Sequence, residues 1–177
     1  MIDNKVEEIK KHIEAIADIL GIEKNASNEN TPLRVAKMYC NELFKNRNNA
    51  NLEELNSRMK VFPNEGTTHP ITVSGIRFSS TCEHHWLPFM GEVTVSYVPN
   101  ESIVGLSKIP RVVKYFSQRP QLQERLTNDI GEYLVDLLNP KSLTVVVKST
   151  HTCVMCRGAE SECETTTSFG YVMGVYK

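Results

Sequence analysis

The sequence predicts an α+β protein with a helical N-terminal region, residues 1–50, ahead of a larger domain, residues 51–177. Three observations carry this. Apolar residues recur with helical spacing as far as Leu43, the pattern changes to strand alternation after Pro70, and two further helical stripes fall between strands before the chain returns to strand near its end. At 177 residues the chain holds one domain with a core of its own and is too short for two of ordinary size.

In the first helix Val6, Ile9, Ile13, Ile16 and Leu20 line one stripe, which Gly21 ends. Two heptads are too few for a free-standing coiled coil, so this helix is expected to dock, another subunit being one candidate surface. Asn25 to Asn30 is a polar break. Thr31-Pro32 then reads as N-cap and first helical residue of a second helix with Val35, Met38, Tyr39 and Leu43 on its apolar side. Asn46 to Asn51 is the best linker candidate.

Ile71, Val73 and Ile76 to Phe78 suggest a strand with a turn at Ser74-Gly75. Gly91 to Val98 is a cleaner strand, with Val93, Val95 and Tyr97 on one face and Thr94, Ser96 and Val98 on the other. The segment around Cys82 is expected in the connection between the two. Ser107 can cap a helix that runs through Phe116, with Pro110 tolerated in its first turn. Pro120 is read as opening the next helix, whose Leu122, Leu126, Ile130, Leu134 and Leu137 form a stripe that Asn139-Pro140 stops. Leu143 to Thr150 is the strongest strand; if it stays extended, His151 and Cys153 emerge on one face. Thr165 to Ser168 and Tyr171 to Tyr176 suggest the last strand.

The formal charge of −1 argues against nucleic-acid binding driven by electrostatics, so any anion site must be a local cluster. The N-terminus has no apolar region of the kind a secretory signal needs, and no apolar run approaches the roughly 20 residues of a membrane span. A cytoplasmic location without membrane contact is expected. Five cysteines, an odd number, are then better read as thiols and metal ligands than as a disulfide framework.

Cys82-Glu83-His84-His85 packs a thiol, a carboxylate and two imidazoles into four positions, and His151-Thr152-Cys153-Val154-Met155-Cys156 supplies further donors. Zinc is the metal these donors suggest. A closed set such as Cys82, His85, Cys153 and Cys156 would be a structural knot, whereas three donors with an open position would make a catalytic site. Spacing leaves both open; His84 and His151, spare in a knot, favour catalysis. Lys108 and Arg111 share the first turn of a helix whose amides favour anions, and with Arg157 they could clamp a phosphate chain. Arg34 and Lys37 form a possible basic spot on the second helix, and Glu124 suits a helix N-terminus as a plain dipole partner.

Taken together, Cys82 to His85, Gly105-Leu106-Ser107-Lys108-Ile109, Gln118 to Leu126, His151-Thr152-Cys153, Arg157-Gly158 and the helix Thr31 to Tyr39 resemble GTP cyclohydrolase I, with motifs in one order across about residues 31–176. The resemblance implies a tunnelling fold (T-fold): an antiparallel sheet backed by two helices, joined into a pentameric β-barrel, with two barrels stacked as a homodecamer. It implies that Cys82, His85 and Cys153 hold catalytic zinc and that Cys156 does not. The implied reaction is attack of zinc-bound hydroxide on C8 of GTP, release of formate, rearrangement of the ribose and closure to 7,8-dihydroneopterin triphosphate. This is a first step towards tetrahydrofolate, pterin cofactors or queuosine-type deazapurines.

The same resemblance makes His84 and His151 the proton-transfer pair and Glu124 the reader of the guanine edge, with Gln123 at the base pocket. It makes Ser107, Lys108, Arg111 and Arg157 the triphosphate clamp, joined by Arg34 and Lys37 from a neighbouring chain, and gives Glu83 an orienting role at most. Two readings of other kinds remain beside it: a zinc-stapled interaction module on the same fold, and a related enzyme acting on another pterin or deazapurine. The chain departs from the family pattern in the extra thiol of Cys156, in ending at Lys177 without a helical tail, and in a short N-terminus that argues against feedback control by a partner protein.

Overall fold

The computed structural model describes residues 4–175, so Tyr176, the expected end of the last strand, lies outside the described residues. Two compact units divide the chain, Met1–Lys45 and Asn46–Lys177. In the first, helix α1 (Asn4–Ile19) packs on helix α2 (Thr31–Met38), which runs on into a widened turn at Tyr39–Leu43. Thr31 is the first helical residue and Asn30 holds the cap position, one residue earlier than the sequence suggests. Val6 is buried at the start of the α1 stripe, but Ile16 and Leu20 at its end are 52% and 68% exposed.

The second unit begins in the expected linker, which is a bonded turn instead. Asn46 is buried and donates from Nδ2 to Tyr115 O (3.1 Å) and Gln118 Oε1 (3.2 Å). Asn48, Asn49 and Asn51 take positive φ, a region asparagine tolerates better than most residues, and the chain turns there into helix α3 (Leu52–Arg58). Strand β1 (Val61–Pro63) pairs with β4 (Ser102–Val104) in a small separate ribbon.

A five-stranded sheet, in the order β5-β2-β3-β6-β7, makes the body of this unit. Its strands are β2 (Ile71–Cys82), β3 (Pro88–Val98), β5 (Pro120–Gln121), β6 (Ser142–His151) and β7 (Glu164–Val172). Every pairing is antiparallel except that of β5 with β2. The expected turn at Ser74-Gly75 is a bulge within β2, with Gly75 at φ +68°, and the strand continues to Cys82.

Alternation decides which face is covered. Ile76, Phe78, Phe89, Val93, Val95, Tyr97, Leu143, Val145 and Val147 are buried together with Ile109, Val112 and Phe116 of α4 (Lys108–Ser117) and Leu126, Ile130, Leu134 and Leu138 of α5 (Gln123–Leu138). Each such side chain contributes about 1.5–3 kcal/mol when taken out of water. Leu138 joins Leu137 at the end of the α5 stripe: Leu138 is buried and Leu137 is half-buried against the same core, four and three residues on from Leu134. Thus α4 and α5 back one face of an antiparallel sheet.

The other face is polar. Arg77 of β2 is paired in register with Glu92 of β3, and Glu92 with Lys148 of β6. Ion pairs at 3.9 Å join Arg77 to Glu92 and Lys148 to Glu164 of β7, so the signs alternate across four strands.

Pro120 does not open α5. It starts β5, which lies parallel to the end of β2 with Thr81 opposite Pro120 and Cys82 opposite Gln121, and Leu122 takes the cap position of α5. That pairing delivers the first turn of α5 to the end of the strand carrying Cys82.

Candidate active site

Cys82 is the buried last residue of β2, and the three residues after it form a tight turn into β3. Cys82 N–H donates to Leu87 O (2.8 Å), Trp86 N–H donates back to Cys82 O (2.8 Å), and Trp86 takes φ +54° to close the loop. This fold of the chain lets Cys82 and His85, three apart, meet on one side, which an extended strand forbids. The Glu83 backbone N–H donates to Gln121 O (3.1 Å), and the Glu83 carboxylate accepts two hydrogen bonds from Arg125. Arg125 holds that carboxyl below the ordinary carboxylate range.

The second half of the site begins where β6 ends at His151. The strand does not stay extended to Cys153, because Thr152–Met155 is a single helical turn, α6. Thr152 Oγ1 donates to Pro88 O (2.6 Å), fastening this turn to the start of β3. Cys153 is thereby brought against Cys82 rather than left on the face of the strand.

The ligand atoms of Cys82, His85 and Cys153 all lie within 4.8 Å of one another, and Cys156 is outside this group. Two sulfurs on a tetrahedral zinc stand about 3.8 Å apart, so a small closure of the three side chains fits them to one ion. Without a metal, burial and then the hydrogen bond with Cys82 push the Cys153 thiol up. A bound cation reverses that preference by taking the thiolate.

Arg157 Nη1 donates to His85 Nε2 at 2.9 Å. Guanidinium has donors only, so Nε2 is the acceptor here. A neutral imidazole that gives one nitrogen to a metal carries its proton on the other. Metal ligation by His85 and this hydrogen bond therefore exclude each other, and a metal bound there would free the Arg157 guanidinium.

His151 lies beside this cluster. Its ring stacks on Phe89, the residue opposite it across the β3–β6 pairing, at 4.7 Å and an interplanar angle of 4°. His151 Nε2 is 2.8 Å from Gln123 Oε1 and 3.2 Å from Ser149 Oγ. Burial lowers the His151 pKa from its ordinary value, and the Glu124 carboxylate opposes the shift. His84 is exposed in the turn, its ring 6.2 Å from that of His85 and nearly perpendicular to it.

A family model described as GTP cyclohydrolase I matches residues 9–177. The chain belongs to the GTP cyclohydrolase I family. Curated proteins named GTP cyclohydrolase 1 are similar over most of their length: that of Blochmanniella pennsylvanica is 41% identical, with 90% of this chain and 72% of that one covered. That of Haemophilus ducreyi is 40% identical, covering 96% and 78%. A solved structure, the archaeosine synthase QueF-Like in the apo form, is 23% identical at a TM-score of 0.46, covering 62% of this chain and 99% of that one. The chain is thus an enzyme, a GTP cyclohydrolase, and its sheet backed by two helices is the tunnelling fold of the GTP cyclohydrolase I family.

The remaining residues that the GTP cyclohydrolase I resemblance singles out are spread over three elements. Glu124 is exposed in the first turn of α5, next to the fully engaged Gln123, and acts on His151 through its charge. Ser107, Lys108 and Arg111 lie at the start of α4, where Ser107 holds the cap position without a side-chain cap bond. Arg34 and Lys37 are exposed on α2 of the first unit. Arg125, Ser149 and Phe89 were not singled out by the sequence. Arg125 falls inside the Gln118 to Leu126 motif, one residue after Glu124, and that adjacency was the signal available; the other two are legible only through pairing.

Proposed function

We propose that Cys82, His85 and Cys153 hold a catalytic zinc ion and that the enzyme uses it to open the imidazole ring of GTP at C8. One observation carries the reading. Three donors from the ends of two separate strands converge within 4.8 Å while the exposed thiol of Cys156, three residues after Cys153, is outside the group, which is the donor count of an open site rather than a closed knot. When bound, the zinc supplies Lewis acidity, which brings the ionisation of water near neutral pH.

The chain's own residues do the rest. Glu124 accepts from the guanine N1–H and the exocyclic amine, a pair of donors adenine lacks. Ser107, Lys108, Arg111 and Arg157 hold the triphosphate, Arg157 after its release from His85. His84 and His151 move protons as the ring opens, as C8 leaves as formate and as the ribose carbons reclose into 7,8-dihydroneopterin triphosphate. Arg34 and Lys37 reach the triphosphate from a neighbouring copy in a homodecamer of two stacked pentamers, with active sites at the subunit interfaces. Residues 51–177 form the catalytic domain and 1–50 the helical region, and the enzyme works in the cytoplasm, where GTP is supplied.

Incubation of the purified protein with GTP and zinc, following formate and the pterin absorbance, tests this reading. Formation of both products is expected. Their absence from metal-loaded protein would reject it.

A further inference from the structure

The Gln123 side chain is 2% exposed at the first residue of α5, and each of its hydrogen-bonding groups is occupied. Its Nε2 donates to Val147 O and Thr165 O, both at 3.0 Å, on adjacent strands β6 and β7. Backbone carbonyls cannot donate, so the amide can be oriented only with its nitrogen towards them. Its oxygen then accepts from Ser149 Oγ at 2.7 Å and faces His151 Nε2 at 2.8 Å. An amide carbonyl cannot donate either. His151 Nε2 must carry a hydrogen.

We infer that Gln123 is a positioning residue that holds His151 with its proton on Nε2, so that Nδ1 is the nitrogen through which this histidine exchanges protons. The inference rests on the proton-transfer role proposed above for His151. Nε2 keeps its hydrogen in both the neutral ring and the imidazolium, because Gln123 accepts from it in each; only the Nδ1 proton comes and goes. The stack on Phe89 fixes the ring plane. A half-turn of the ring about Cβ–Cγ would exchange Nε2 for a carbon and leave one lone pair of the buried Gln123 oxygen without a donor.

This changes the part given to Gln123. Its two amide hydrogens are spent on Val147 and Thr165 and its oxygen is spent on Ser149 and His151. Such a saturated amide has nothing left with which to read a purine, so its effect on catalysis passes through His151. An orienting acceptor behind a catalytic imidazole has the same use in hydrolase triads, where it selects the tautomer.

The test is nitrogen-15 NMR of the imidazole rings in metal-free protein, with His151 assigned by the spectrum of His151→Asn. Neutral His151 is expected to show a protonated Nε2 and a bare Nδ1, and a protonated Nδ1 in the wild type would overturn the inference without any variant having to fold. Gln123→Met, close in size and without hydrogen bonds, should mix the tautomers. With GTP and zinc it should lose at least about tenfold in kcat, up to the 10²–10⁴-fold that proton transfer supplies, while KM for GTP stays within about threefold. A raised KM with unchanged kcat would instead make Gln123 a base contact and sink the inference. Full turnover by His151→Asn would defeat the catalytic role of His151 itself, a different failure that the NMR result distinguishes.

Discussion

Arg125 and Glu83 are joined by two parallel hydrogen bonds, Nη1 to Oε2 and Nη2 to Oε1, the second at 3.0 Å. The pair ties the turn that carries His84 and His85 to the first turn of α5, next to Glu124. It is partly exposed, with side-chain exposures of 47% and 29%, so its worth to stability is below about 1 kcal/mol after screening. Its geometric worth is larger, since a bidentate pair fixes orientation as well as distance.

The pH dependence of that pair follows from the sign of its shift. Arg125, chiefly by hydrogen bonding, holds the Glu83 carboxyl below the ordinary value of 4.5. The unfolded chain therefore binds the proton first as pH falls, and the contribution is complete above about 4.5 and lost as pH drops through the lower folded value. Denaturation midpoints of wild type and Glu83→Gln should differ at pH 6 and converge in acid. In a double-mutant cycle with Arg125→Ala, the second substitution should add little to the first.

Thiol substitutions separate an open site from a closed one. Cys82→Ser and Cys153→Ser are expected to lose the metal and turnover together, while Cys156→Ser keeps one zinc per chain by elemental analysis. Loss of zinc from the Cys156 variant would mean that a fourth thiolate closes the site. Arg157→Ala should bind zinc about three- to tenfold more tightly in chelator competition, because the metal-free protein no longer has the hydrogen bond to His85, worth about 1 kcal/mol.

His84 offers the complementary case. It is not among the converging donors, so His84→Ala should keep its zinc and lose about 10²–10⁴-fold in kcat. Glu124→Gln should act mainly on recognition, lowering kcat/KM for GTP by at least about tenfold, since the amide presents one acceptor and one mismatched donor to the guanine edge. Steady-state kinetics on metal-loaded protein checks both.

Gly131 on α5 lies against the Phe169 ring of β7, and a Cβ there would come within 2.3 Å of Phe169 Cδ1. The ring has to shift for even one methyl group. Gly131→Ala is expected to destabilise by about 1–3 kcal/mol in denaturant titration, with Phe169→Leu restoring part of the loss in the double variant.

Where pattern and partner coincide, the chain was readable in advance. Val93, Val95 and Tyr97 alternate with polar residues and are buried as that alternation requires. The i, i+3 spacing of Cys82 and His85 suggests a shared site, and the turn brings their donor atoms together with that of Cys153. What stayed hidden depends on partners remote in sequence. Pro120-Gln121 is a strand only because the edge of β2 accepts it, a two-residue pairing with no periodicity to detect. Cys153 sits in one turn of helix, too short to leave a 3.6-residue pattern behind a strong strand. Gln123 looks like any polar residue at a helix start until Val147, Thr165, Ser149 and His151 are seen around it. Asn46 reads as linker because asparagine favours turns, yet its amide is buried on the end of α4.

The checkerboard of Arg77, Glu92, Lys148 and Glu164 restricts what can cover that side of the sheet. Laying an oily surface over that side would strip hydration from four ions whose mutual attraction at 3.9 Å does not compensate for the loss. Whatever closes over this side must keep a moist gap, and a ring of such sheets facing inward would enclose an aqueous bore instead of a greasy plug.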